Sequence, residues 1–334
     1  MDTFDSIMSD LKAGKYRPVY FLQGDEPFFI DKISSFIEDN LLTADQKVFN
    51  QTVVYGKDTD VSKIWSMAKR FPLNSDYQVV IVKEAQDLKK IEDLENYFQK
   101  IQPKTVLVLN YKYKTLDKRK KICSLIEKIG VLFTSSTLYE NKVPDWINQY
   151  IKEKHLEIEP KASRMLVDYL GTDLSKISNA IDKLKILLPD GASITPDDIQ
   201  KNVGISKDYN NFELQSAIIK GDALKAARIV NHFAANQKDN PAVLTVTNLF
   251  GFFCKMLIFW QNKNADQRAQ AMAMGINPYF LKDYQSASTK FSLRKCITVI
   301  LLLGEYDMKT KGVDNASVDS GSLIKELVFK IMHL

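Results

Sequence analysis

Two hydrophobic rhythms divide the chain. Over residues 1–139, short apolar runs rich in β-branched residues occur at 19–22 (VYFL), 48–54, 78–82 (QVVIV), 105–109 (TVLVL) and 131–134. Continuous rather than alternating apolarity predicts strands buried on both faces, as in a parallel sheet. Between these runs, Phe29, Ile33, Phe36, Ile37 and Leu41 recur at helical spacing, and so do Leu88, Ile91, Leu94, Phe98 and Ile101. Strand–helix alternation of this kind predicts a doubly wound α/β domain.

Beyond Leu138 the strand signal fades. Residues 140–208 read as a small helical domain. Asp145 is the expected cap of a helix carrying Trp146, Ile147, Tyr150 and Ile151. A second helix opens at Pro160, with Leu166, Tyr169 and Leu170 on one face, and ends at Gly171. A third begins at Asp173 and carries Ile177, Ile181, Leu184 and Leu188. Thr195 followed by Pro196 marks a further helix start. Residues 209–334 read as longer, more apolar helices, punctuated by Gly221 and Asp222, Asn240 and Pro241, Asn277 and Pro278, and Lys311 and Gly312. The fold class expected is thus α/β plus all-α, in three parts: 1–139, 140–208 and 209–334.

Composition changes this picture little. The chain has 334 residues, 45% hydrophobic and 26% charged, enough for several cores at roughly 100–200 residues per domain. A net charge of +5 tolerates nucleic acid without predicting it. Cys123, Cys254 and Cys296 stand apart, with neither disulfide framework nor zinc spacing, which favours a reducing cytoplasm. The first residues show no cationic stretch followed by an apolar run, so no signal peptide is expected. Residues 241–260 are long enough to span a bilayer. Thr245, Thr247, Asn248 and Lys255 within them favour a buried packing helix instead.

The search for chemistry gives mostly negatives. After the first strand, where a nucleotide-binding α/β domain places its phosphate loop, stand Gly24, Asp25, Glu26 and Pro27. A working loop needs several glycine amides, a lysine and a Ser or Thr. Here two carboxylates would repel phosphate and the proline has no N–H to donate, so an inactive loop is expected. His155, His232 and His333 fall in three separate segments and form no metal motif, so no metal or cofactor is expected. No nucleophile motif is present either. Nothing here predicts a catalytic site.

Two features remain. Phe71, Pro72 and Leu73 lie at a helix-to-strand junction, where polar turn residues are usual. They either seal the end of the sheet or form an exposed apolar plug for a partner's pocket. The basic run of Lys112, Lys114, Lys118, Arg119, Lys120 and Lys121 is either a solvated loop and helix start or a phosphate contact. In the second case Tyr111 and Tyr113 would offer stacking.

The segment 18–30 (PVYFLQGDEPFFI) resembles the start of the delta subunit of the bacterial DNA polymerase III clamp loader. Further resemblances follow in the family's order. They are 71–76 (FPLNSD) with the strand after it, 171–174 (GTDL) with Asn179, Lys183 and Leu184, 211–214 (NFEL), and 307–312 (DMKTKG). The resemblance implies an AAA+-like α/β domain without a competent phosphate loop, a small helical lid and a helical collar. Residues 134–137 (TSST) hold no arginine finger, as in the family.

The implied role is mechanical. Such a subunit binds the ring-shaped sliding clamp (the beta subunit), holds it open for loading onto primed DNA in replication, and does not hydrolyse ATP. It would work within the DNA polymerase III holoenzyme, beside ATPase and delta-prime subunits joined through the collar. The clamp site implied is Phe71, Pro72 and Leu73, with Trp65, Met67 and Ala68 on the preceding helix; Lys118, Arg119, Lys120 and Lys121 are candidate DNA contacts. The competing readings are an active AAA+ ATPase with an atypical loop and a stand-alone DNA-binding protein.

Overall fold

In the computed structural model, the described residues are 2–204, 206, 208–314 and 317–334. They form two compact units, Met1–Leu138 and Tyr139–Leu334.

The first unit is a five-stranded sheet flanked by helices. Its strands are β1 (Val19–Gly24), β2 (Gln51–Tyr55), β3 (Gln78–Lys83), β4 (Thr105–Lys112) and β5 (Val131–Ser135). They run in the order β2-β3-β4-β1-β5, and every pairing is parallel. The helices are α1 (Phe4–Lys12), α2 (Pro27–Asn40), α3 (Ala44–Asn50), α4 (Val61–Ala68), α5 (Glu95–Phe98) and α6 (Lys121–Ile129). Because side chains alternate along a strand, β1 sends Val19 and Phe21 to one core and Tyr20 and Leu22 to the other. The first core includes Ile64 of α4 and Ile122 and Ile126 of α6; the second includes Ile30, Ile33 and Ile37 of α2. Burial on both faces explains why these strands lack polar alternation.

Two expected elements differ. Residues 48–50 are the end of α3, not strand. The capping box of Thr43 and Gln46 starts that helix, and local capping overrides the β-branched signal. The helix expected across 88–101 is broken into the 3-10 turn Ile91–Leu94 and the short α5. Lys90 has φ +55°, which no helix interior accepts, yet Leu88, Ile91, Leu94 and Phe98 are all buried. Burial without regular helix produced the same spacing.

The second unit is helical. It contains α7 (Val143–Glu153), α8 (Pro160–Leu170), α9 (Leu174–Leu187), α10 (Pro196–Val203), α11 (Asn211–Lys220) and α12 (Ala223–Ala235). There follow α13 (Ala242–Gln261), α14 (Gln267–Met274), α15 (Leu281–Ser288), α16 (Leu293–Thr310) and α17 (Ser320–Met332). The expected caps Asp173 and Thr195 are present, and Gly171 ends α8. Asp145, however, lies within the first turn of α7, which begins two residues earlier, and Tyr169 is exposed. A two-residue parallel pair, β6 (Glu157–Ile158) with β7 (Ser193–Ile194), falls where no strand was expected.

Helix α13 is long and apolar enough to cross a membrane by length and composition. One face, including Val246, Leu249, Phe253 and Met256, packs into the core that α16 and α17 complete. Burial is one-sided: Val243 and Phe250 are exposed, as are Ile297 and Leu301 on the neighbouring α16.

Helices α8 and α11 are joined by ionic contacts. Arg164 of α8, only one-fifth exposed, faces Asp168 at 3.5 Å and donates to Gln215 of α11 at 3.1 Å. Its guanidinium also lies 5.2 Å from the ring of Phe212 and 5.1 Å from that of Phe280. Nearby, buried Glu213 of α11 pairs with Lys161 of α8 at 2.5 Å and with Lys225 of α12.

Candidate functional site

The segment 69–77 leaves α4 and enters β3, so it lies at the amino end of the sheet. Phe71 is 79% exposed and Leu73 is 58% exposed, with the half-buried Pro72 between them. Neither side chain seals the sheet in the free chain. The chain turns immediately afterwards at Asn74, whose φ is +51°.

Buried amides hold both ends of this short segment. Gln78, the first residue of β3, donates its side-chain amide to Arg70 O at 2.5 Å and to Thr105 Oγ1 at 2.7 Å. The Thr105 hydroxyl donates in turn to Ala68 O at 2.7 Å, and the Tyr97 hydroxyl reaches the same carbonyl at 3.3 Å. These contacts satisfy carbonyls that the end of a helix leaves without partners. At the other end, Leu73 N–H donates to Asn50 Oδ1 at 2.7 Å, and Asn50 Nδ2 donates to Leu73 O at 2.9 Å.

The helix residues proposed from sequence divide by burial. Trp65 and Met67 are partly buried against the core beneath them, and Lys69 Nζ sits 4.5 Å from the Trp65 ring. Ala68 is fully buried, which corrects its assignment as a contact residue: its methyl belongs to the core. Sequence reasoning missed Asn50 and Gln78, together with Val48 and Phe49, which are 74% and 72% exposed at the end of α3. The available signal was the polar stretch Asn50, Gln51 and Thr52 between the apolar pairs Val48 and Phe49, and Val53 and Val54.

The loop after β1 lies at the carboxyl end of the sheet, beside β5. Gly24 has φ +117°, and a Cβ there would stand 2.0 Å from Ser135 O, so only glycine fits. Glu26 is buried; its backbone N–H donates to Ser135 Oγ at 3.3 Å, and its carboxylate accepts from Phe28 N–H at 3.1 Å. Pro27 occupies the first turn of α2, and Asp25 is exposed. An internal carboxylate therefore sits at the helix end to which a phosphate would have to come.

The basic run is largely compensated. Lys112 pairs with Asp31 at 2.9 Å and with Glu84 at 3.2 Å. Burial works against its ammonium, but these carboxylates hold its pKa above the ordinary lysine value. Arg119 pairs with Asp117, Lys120 with Glu92 and Lys121 with Glu95, at 2.8, 2.6 and 2.9 Å. Lys118 is exposed in the loop before α6. Among the described residues, no three His, Cys, Asp or Glu side chains converge on a possible metal position.

Residues 20–136 match the family described as DNA polymerase III, delta subunit. DNA polymerase III subunit delta of Bacillus subtilis is 26% identical over 317 residues, covering 91% of each chain. The probable DNA polymerase III subunit delta of Aquifex aeolicus is 19% identical over 295 residues, 84% of this chain and 83% of that one. The solved structure of the Bacillus subtilis DNA clamp loader delta protein superimposes with a TM-score of 0.56 at 23% identity, covering 99% of this chain and 100% of that one. In sequence the chain is thus similar to DNA polymerase III delta subunits, and its parallel sheet followed by a helical unit has the fold of the clamp loader delta protein.

Proposed function

We propose that this chain binds the sliding clamp through Phe71 and Leu73, and that it holds one interface of the ring open for loading onto primed DNA. The observation that carries this reading is the pair of apolar side chains exposed on a segment whose backbone is fixed at both ends. Burying two such side chains in a partner's pocket contributes about 1.5–3 kcal/mol each. Preferential affinity for the open ring shifts its equilibrium by the difference between the two states and no more.

The chain does this without hydrolysing ATP. Glu26 at the start of α2, Pro27 beside it and the absence of a loop lysine support that reading over an active ATPase. Residues 1–139 are the clamp-binding α/β domain, 140–208 the lid and 209–334 the collar. The outward Phe250, Ile297 and Leu301 suit the collar to ATPase and delta-prime neighbours, in a cytoplasmic complex. DNA contact by Lys118, Arg119, Lys120 and Lys121 is secondary, since three of them already face carboxylates.

The test is binding of the purified chain to the sliding clamp of the same organism, without ATP, beside a folded Phe71→Ala/Leu73→Ala variant. Tight binding by the wild type and its loss in the variant support both function and site. Binding that survives the double change moves the site elsewhere. A folded wild type that does not bind the clamp overturns the function.

A further inference from the structure

We propose that Asn50 is a positioning residue for the apolar segment, presetting the backbone of Leu73 so that docking need not order it. This rests on the clamp-docking reading above. Asn50 is the last residue of α3, is 4% exposed, and lies 23 residues before Leu73 in the chain. Its carboxamide meets both main-chain groups of Leu73: Oδ1 accepts the N–H at 2.7 Å and Nδ2 donates to the carbonyl at 2.9 Å. The remaining Nδ2 proton is directed to Gln46 O, 3.1 Å away, one turn back in α3. Both amide protons are thereby used, and the side chain acts on Leu73 as a neighbouring strand would.

The arrangement separates what is held from what is offered. The Leu73 main chain is bound to a buried partner, whereas its side chain remains mostly in water. An exposed apolar segment without such a partner would sample many backbone states, and binding would have to select among them. With Gln78 fixing Arg70 O at the other end, only Phe71 and Pro72 span the gap between two anchored carbonyls. Loss of Asn50 therefore lowers affinity by disordering a binding residue, without removing any atom that touches the clamp.

The experiment measures clamp affinity of the whole chain for wild type, Asn50→Ala and Thr43→Ala, with hydrogen exchange of the Leu73 amide in the free protein. Thr43→Ala removes the cap of α3 but leaves the Leu73 contacts in place. The expected result is a folded Asn50→Ala protein with faster Leu73 exchange and about tenfold weaker binding. Thr43→Ala is expected to bind as the wild type does. If Asn50→Ala does not fold, Asn50→Asp serves in its place, because it keeps the acceptor for Leu73 N–H and sets an oxygen against Leu73 O. Wild-type affinity in the folded Asn50 variant overturns this inference and leaves the docking reading standing. Equal weakening by Thr43→Ala also overturns it, since α3 as a whole would then be responsible. A wild type that fails to bind the clamp overturns the docking reading, and this inference falls with it.

Discussion

The carboxylate of Glu26 accepts the backbone N–H of Phe28 at 3.1 Å, so the first turn of α2 is capped from within the loop that precedes it. A negative side chain and an incoming phosphate cannot share that position. Removing the carboxylate would still leave Pro27 without an N–H and the loop without a lysine. Glu26→Ala is therefore expected to cost about 1 kcal/mol of stability and to gain no nucleotide binding. Thermal unfolding and titration with a fluorescent ATP analogue check both halves. Millimolar or tighter ATP binding by either protein would return the loop to the active class.

Phe49 is the residue before Asn50 and is 72% exposed, so an apolar ring stands beside the residue that grips Leu73. Phe49→Ser is expected to leave folding unchanged within about 0.5 kcal/mol, as is usual at exposed positions. It should weaken clamp binding several-fold, less than the loss of Leu73. Unaltered affinity would confine the docking surface to the segment after α4.

Acid should weaken the joint at Glu213. Burial alone would raise the pKa of this carboxyl, but hydrogen bonds from Lys161 and Lys225 bring it below the ordinary glutamate value. A carboxylate with a lowered folded pKa stabilises the fold above the unfolded value, about 4.3, and that stability is lost as pH falls through the folded pKa. Unfolding of the wild type between pH 7 and pH 3 should therefore show an acid limb. Glu213→Gln should flatten it, at a cost of about 1–3 kcal/mol near neutrality. Parallel acid limbs in the two proteins would place the sensitivity elsewhere.

On α16, Ile297 and Leu301 are 47% and 71% exposed, one helical turn apart. Exchanging both for Lys should change the melting temperature of the isolated chain little. In size-exclusion chromatography with the other loader subunits, the variant should run apart from the complex. Normal co-elution would show that this face is not used in assembly.

Legibility in the sequence followed physical locality. The central strands were readable because burial on both faces leaves an unbroken apolar run, and the caps Asp173 and Thr195 because capping depends on adjacent residues. The edge of the sheet was less so: at 48–54 the end of a capped helix and an edge strand merge into a single β-branched run. The exposed pair Phe71 and Leu73 could be singled out because apolar residues at a turn are unusual. Their supports could not, since Asn50 and Gln78 act across 23 and 8 residues of chain on main-chain atoms that carry no sequence signature. The basic run left two readings open for a related reason, because Glu92 and Glu95, which pair with Lys120 and Lys121, come from a different part of the chain.

Arg164 cannot shed its charge at any ordinary pH. Drawing α8 away from α11 would strip its guanidinium of Gln215 and of the Phe212 ring. The restoring force thus arises at small displacement, and with Lys161 and Glu213 beside it the two helices have little freedom to slide. The junction is a rivet rather than a hinge. A push delivered to α8 would therefore reach α11 with little absorbed on the way.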